Sequence, residues 1–152
     1  MPEITPEFFE KVKDGLVHSR INYMNVAGII PVLAETRHVI ARLPANGMHM
    51  NHVNIMYAGS YFVFAEATGA ALLKCTYHDK YVLIIKSMEI NYIKPTARDL
   101  VIDISMTEEE AAERIAYVKE HGKGRYPLDI PVMDADGETC ADVHIVYYLK
   151  ER

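Results

Sequence analysis

Glu66 is the only charged residue between His52 and Lys74. It interrupts VNIMYAGSYFVFAEATGAALL, residues 53–73, a run that otherwise reads as a wholly buried helix. A carboxylate in such surroundings loses much of its solvation unless it is paired or protonated. Acids of this kind concentrate where a protein does chemistry. Burial raises the pKa of a carboxylate. Just upstream lies the polar loop Asn46 to Asn54, and Gly59 marks the start of the helix. The amides of Ala58 and Gly59 fall in its first turn, where free N–H groups and the helix dipole favour negative charge. Asn51 lies in this loop, where asparagine is at home in a turn. Asn54 reads as the helix cap. Acid, loop and helix start together are the strongest functional signal in the chain.

Other constellations are weaker. His49 and His52 lie three residues apart and with Glu66 could suggest a metal site, but no third and fourth ligand is evident, so no metal is expected. Cys75 and Cys140 have neither metal-ligand spacing nor a disulfide pattern and read as reduced thiols in a cytoplasmic protein. Lys86, Lys94, Arg98, Lys123 and Arg125 are scattered over strand ends and loops.

The elements that must position these groups follow from local signals. Thr5-Pro6-Glu7 starts a helix over about 5–22, with Phe8, Phe9, Val12, Leu16 and Val17 at helical spacing. Residues 27–31 read as a connection and 32–43 as one strand. The central helix spans about 56–75 and is apolar on every side, so other structure must wrap it. Strands follow over 81–94 and 99–106. Thr107 to Glu110 is a capping box opening a further helix that ends at Gly122. Strands over 125–133 and 139–149 are joined at Asp134-Ala135-Asp136-Gly137, a hairpin signal. Consecutive strands argue for an antiparallel sheet, hence an α+β protein.

The 152-residue length favours one domain, residues 1–152, and a half-hydrophobic composition supplies a sizeable core. The net charge of -5 and the lack of a Lys/Arg cluster argue against nucleic acid and anionic membranes as partners. The acidic, polar N-terminus is not a signal peptide, and Asn54, Ser60, Glu66 and Thr68 argue against residues 53–73 as a membrane span.

The element order, with Asn51 eight residues before Gly59 and Glu66 seven after it, resembles the hotdog-fold acyl-CoA thioesterases, in particular the phenylacetate-pathway type. Asn91-Tyr92-Ile93-Lys94-Pro95 is similar to that family's strand ending in an aromatic, a basic residue and proline. The likeness covers roughly 32–150. It implies an antiparallel sheet wrapped around a long central helix, and hydrolysis of acyl-CoA or a related thioester without any cofactor beyond the substrate's own coenzyme A. Glu66, Asn51 and Gly59 would be catalytic, with Ala58, Tyr57 and His52 beside the substrate. It also implies a homodimer or homotetramer, with Glu66 of one subunit facing Asn51 and Gly59 of another. Two departures stand out: Tyr57 replaces the family's histidine and Ala58 the first glycine of its pair. The spacing of fourteen from His52 to Glu66 resembles the hotdog 3-hydroxyacyl-thioester dehydratases, although Val53-Asn54-Ile55 replaces their Phe-Pro-Gly. A non-catalytic acyl- or lipid-binding module is the third reading.

Overall fold

The computed structural model describes residues 5–152. In chain order the elements are α1 (Pro6–Val17), α2 (Asn22–Ala27), β1 (Ile30–Glu35), β2 (His38–Leu43), α3 (Ala58–Tyr77), β3 (Tyr81–Tyr92), β4 (Leu100–Ser105), α4 (Glu108–His121), β5 (Lys123–Asp134) and β6 (Thr139–Glu151). The six strands form one antiparallel sheet in the order β1-β2-β4-β5-β6-β3. The sheet bends around α3, which touches β1, β2, β3, β4 and β5. Inward-facing residues of alternating strands, among them Val39, Ala41, Ile102, Ile130, Val143 and Ile145, close the core against Phe64, Leu72 and Leu73 of α3.

Several expectations need correction. Residues 32–43 form a hairpin rather than one strand, with the turn at Thr36 and Arg37, where Arg37 takes φ 61°. The first helix stops at Val17, and residues 22–27 form a separate helix closed by Gly28 at φ 69°. Asn54 does not cap α3. It occupies the left-handed region at φ 59°, which asparagine tolerates, and Tyr57 holds the cap position without a side-chain bond. The central helix is not buried all round, because Phe62 is 46% exposed and Glu66 and Ala70 are half-buried along the same stripe.

The capping box forms as read: Thr107 Oγ1 accepts from the Glu110 amide at 3.1 Å and Glu110 Oε2 accepts from the Thr107 amide at 2.8 Å. Asp134 closes the β5–β6 hairpin by accepting from the Asp136 and Glu138 amides. Its other oxygen accepts from the Thr96 hydroxyl, and the Thr96 carbonyl accepts from the Met56 amide at 2.8 Å. The hairpin thereby anchors the segment that leads into α3.

Strand β5 pairs with β6 along its length but with β4 only at Asp134 and Met133. Pro127 and Pro131 lack the N–H a ladder needs, and Arg114 of α4 instead donates to the Pro127 carbonyl at 3.0 Å. At the sheet's end, β3 presents an unpaired edge twelve residues long, with Ile84 and Tyr92 exposed.

Candidate active site

The first turn of α3 is Ala58, Gly59 and Ser60. No side chain caps it, and amides at this position have no helical acceptor, so the Ala58 and Gly59 N–H groups remain open. Ser60 is different, its amide donating to the Tyr57 carbonyl at 3.0 Å. The Tyr57 ring lies over Gly59: a methyl group there would stand 2.6 Å from ring Cε1. The Tyr92 hydroxyl donates to the Ala58 carbonyl at 2.7 Å, and its ring meets Tyr61 edge-on, pinning β3 to this turn.

The loop before α3 is fixed by a buried histidine that sequence reasoning left unassigned. His49 Nε2 lies 2.6 Å from the Ala27 carbonyl and Nδ1 lies 2.9 Å from Ser60 Oγ. A carbonyl only accepts, so Nε2 donates to the Ala27 carbonyl, and Nδ1 shares a hydrogen bond with the Ser60 hydroxyl. His49 therefore joins the end of α2 to the first turn of α3, and both its nitrogens are occupied. His52 points elsewhere and is exposed, so the two histidines do not converge with Glu66. Asn51 Oδ1 accepts from the Val53 and Ile55 amides at 3.0 and 3.2 Å, which leaves its Nδ2 donor unused by the loop.

Glu66 follows Gly59 by two helical turns on nearly the same face. Its backbone is held from behind, where the Tyr147 hydroxyl donates to the Glu66 carbonyl at 2.8 Å. Gly69 makes this approach possible, since a methyl group there would press on the Tyr147 hydroxyl and stand 3.0 Å from Ile130 Cδ1. The side chain opens into a cavity of about 360 Å³ beneath α1 and α2, walled by Phe8, Val12, Leu16, Met24, Ala67 and Ala71. Burial alone raises the Glu66 carboxyl above the ordinary range. Burial, and then the Glu66 charge, holds the Tyr147 hydroxyl far above its usual value. Cys75, pushed up to about 12 by burial, stays a thiol at neutral pH.

Within one chain these groups are not all brought together. Seven residues at 1.5 Å each separate Gly59 from Glu66 by roughly 10 Å along the helix, too far for one carbonyl to meet both. Of the aromatic residues near Glu66, Tyr61 and Phe64 are buried in the core and Phe62 faces outward, and none lines the cavity. Tyr147, Gly69 and the His49–Ser60 pair escaped the sequence reading. The only trace of them there was a histidine and a serine flanking the helix start.

A curved antiparallel sheet wrapped around a long central helix is the hotdog fold. The chain belongs to the DUF4442 family, described as a domain of unknown function, which matches residues 16–149. No curated protein matches the chain in sequence. Among solved structures it is similar to a Pseudomonas aeruginosa protein of unknown function described as a probable thioesterase, with 26% identity over 94% of this chain and 95% of that one and a TM-score of 0.83. A protein of unknown function from Chlorobaculum tepidum shares the fold at 15% identity, covering 98% of both chains, with a TM-score of 0.81. A thioesterase from Haemophilus influenzae does so at 11% identity over 94% of this chain and 90% of that one, with a TM-score of 0.70. No helix among the described residues is long and apolar enough to cross a membrane.

Proposed function

We infer that the protein hydrolyses acyl thioesters of the acyl-CoA type, with Glu66 as general base. The observation that carries this reading is a half-buried carboxylate, raised in pKa by burial, on the same helix as an uncapped first turn. Glu66 takes a proton from water as its oxygen adds to the thioester carbonyl. The negative charge that develops on the carbonyl oxygen is received by the Ala58 and Gly59 amides, and Asn51 Nδ2 is available to hold the carbonyl or the water. Collapse expels the thiolate, which recovers the proton from Glu66 and leaves as free thiol beside the carboxylic acid. The two thioesterase-described relatives support the same reaction class.

Because Glu66 and Gly59 of one chain are too far apart, the complete site requires a second copy. That copy brings its own α3 N-terminus to the Glu66 face. The unpaired edge of β3, with exposed Val82, Ile84 and Tyr92, is the natural seam for such a homodimer.

The test is thiol release from short, long and aromatic acyl-CoAs by the wild type and Glu66→Ala, with mutant folding checked by circular dichroism and oligomeric state by light scattering. Turnover that is lost in the folded variant supports the reading. An active monomer refutes the shared site. An enoyl product from a 3-hydroxyacyl thioester indicates a dehydratase instead, and tight binding without turnover indicates an acyl-binding module.

A further inference from the structure

The cavity beside Glu66 has walls from two sources. One is the small-residue face of α3, contributed by Ala67, Ala70 and Ala71. The other is the N-terminal pair α1 and α2, which lies outside the helix-and-sheet unit and contributes Leu16 and Met24. Most of α1 precedes residues 16–149, the span that matches the family, whereas Leu16 and the whole of α2 lie inside it. The volume of about 360 Å³ falls in the range of small-molecule sites. The apolar wall offers methyl, methylene and aromatic carbon, while Lys11, Asp14, His18, Ser19, Lys74 and Asp79 also line the space, the first three with largely exposed side chains. The apolar part of the wall suits a hydrocarbon tail.

We propose that this cavity holds the acyl chain, and that α1 and α2 set the length of unbranched tail it admits. The space is finite and walled by these helices, so carbons beyond its capacity gain no further contact. The proposal rests on the thioesterase reading for the identity of the head group, and Glu66 at the cavity wall then places the thioester carbonyl at its mouth. The aromatic residues of α3 play no part in chain selection. Length is read by Gly15 and Leu16 of α1, Met24 of α2 and Ala70 of α3.

The experiment is calorimetric titration of the full-length protein with non-hydrolysable S-alkyl coenzyme A thioethers of two to sixteen carbons, beside thiol release from the matching acyl-CoAs. Each added carbon should tighten binding about three- to fourfold until the cavity is full, after which the gain stops. Gly15→Leu is the first filling variant. A side-chain carbon at Gly15 meets no atom within 4 Å, and leucine is the better helix former, so this variant should fold. Ala70→Leu is the second, filling the wall from α3. In both, the plateau should move to shorter chains, because Gly15→Leu adds four side-chain carbons to the wall and Ala70→Leu adds three. Affinity that ignores chain length, or a plateau unmoved in both variants, overturns the proposal. So does a preference for phenylacetyl over every linear chain. Length-dependent binding without any thiol release leaves the cavity assignment standing and refutes the hydrolase reading instead.

Discussion

The two halves of α3 have similar compositions and opposite fates. In the second half, every polar group that enters the core is answered. Thr68 and Thr76 donate their hydroxyls back to the Phe64 and Leu72 carbonyls, at 2.8 and 2.7 Å. Gly69 admits the Tyr147 hydroxyl to the Glu66 carbonyl. In the first half, the Ala58 and Gly59 amides are left open and Glu66 is partly desolvated without an answering charge. Polar groups that enter a core are normally satisfied, and groups left without a protein partner at a half-exposed surface are free to meet a ligand or water. A single helix thus serves as core along one stretch and carries the proposed site along another. Neighbours bond to the first half as well, His49 to Ser60 and Tyr92 to the Ala58 carbonyl, but they leave its first amides and its one carboxylate unanswered.

The contrast is sharpest at Glu66, where the largest effect is expected. Glu66→Gln keeps the size of the side chain and removes its basicity. If Glu66 is the base, kcat should fall by about 10²- to 10⁴-fold. Wild-type activity should rise with pH through a pKa above the ordinary carboxylate value, because burial favours the protonated form. Stability should move in the opposite direction. An acid whose folded-state pKa is raised costs nothing below its unfolded value, and destabilises the fold increasingly as pH climbs through the raised one. Glu66→Gln should therefore melt at a higher temperature than the wild type at neutral pH and at a similar one in acid. A variant that loses activity and also melts lower at pH 7 would place Glu66 with the core half of the helix.

The next effect belongs to the core half. Exchanging glycine for alanine within a helix normally gains up to about 1 kcal/mol. At Gly69 the new methyl group meets the Tyr147 hydroxyl and Ile130, both of which are buried and cannot swing away. Overpacking of this kind costs about 1–3 kcal/mol, so Gly69→Ala should destabilise. Tyr147→Phe removes the hydroxyl and with it the worst contact, so chemical denaturation of the double variant should show a loss smaller than the sum of the single ones. Additive losses would mean that Tyr147 does not press on the helix.

Features encoded by neighbours in sequence were legible without the structure. The long apolar run of α3 emerged within two residues of its bounds, and the Thr107–Glu110 capping box and the Asp134–Gly137 turn formed as read. The β1–β2 turn was missed because it carries no glycine, proline or asparagine, and Arg37 adopts a positive φ that its residue type does not advertise. Helix α2 is only six residues long, too short for periodicity to reveal, and it is held by Gly28 and by burial of Met24 and Ala27. The candidate site was legible only in part for the same reason. Glu66, Gly59 and Asn51 lie within sixteen residues of one another. Tyr147 meets Glu66 across eighty-one residues, and α1 reaches the cavity wall from the other end of the chain. Such partners are set by how the sheet closes, which no local pattern records.

The smallest effect on stability should come from the other glycine, and it is the most exacting check of the comparison. Gly59→Ala places its methyl group 2.6 Å from the Tyr57 ring, a closer approach than to Ile130 at Gly69. Yet Tyr57 is 54% exposed, so its ring can turn into solvent at little cost. Crowding alone would rank Gly59 with Gly69, whereas mobility of the obstructing group separates them. The expected change in unfolding free energy is within about 0.5 kcal/mol, typical of surface positions. Thiol release should nonetheless fall, because the methyl group and the displaced ring both lie at the amides that are to receive the carbonyl oxygen. A destabilisation matching that of Gly69→Ala would show Tyr57 to be locked in place. A variant with unchanged stability and unchanged turnover would remove the first turn of α3 from the reaction.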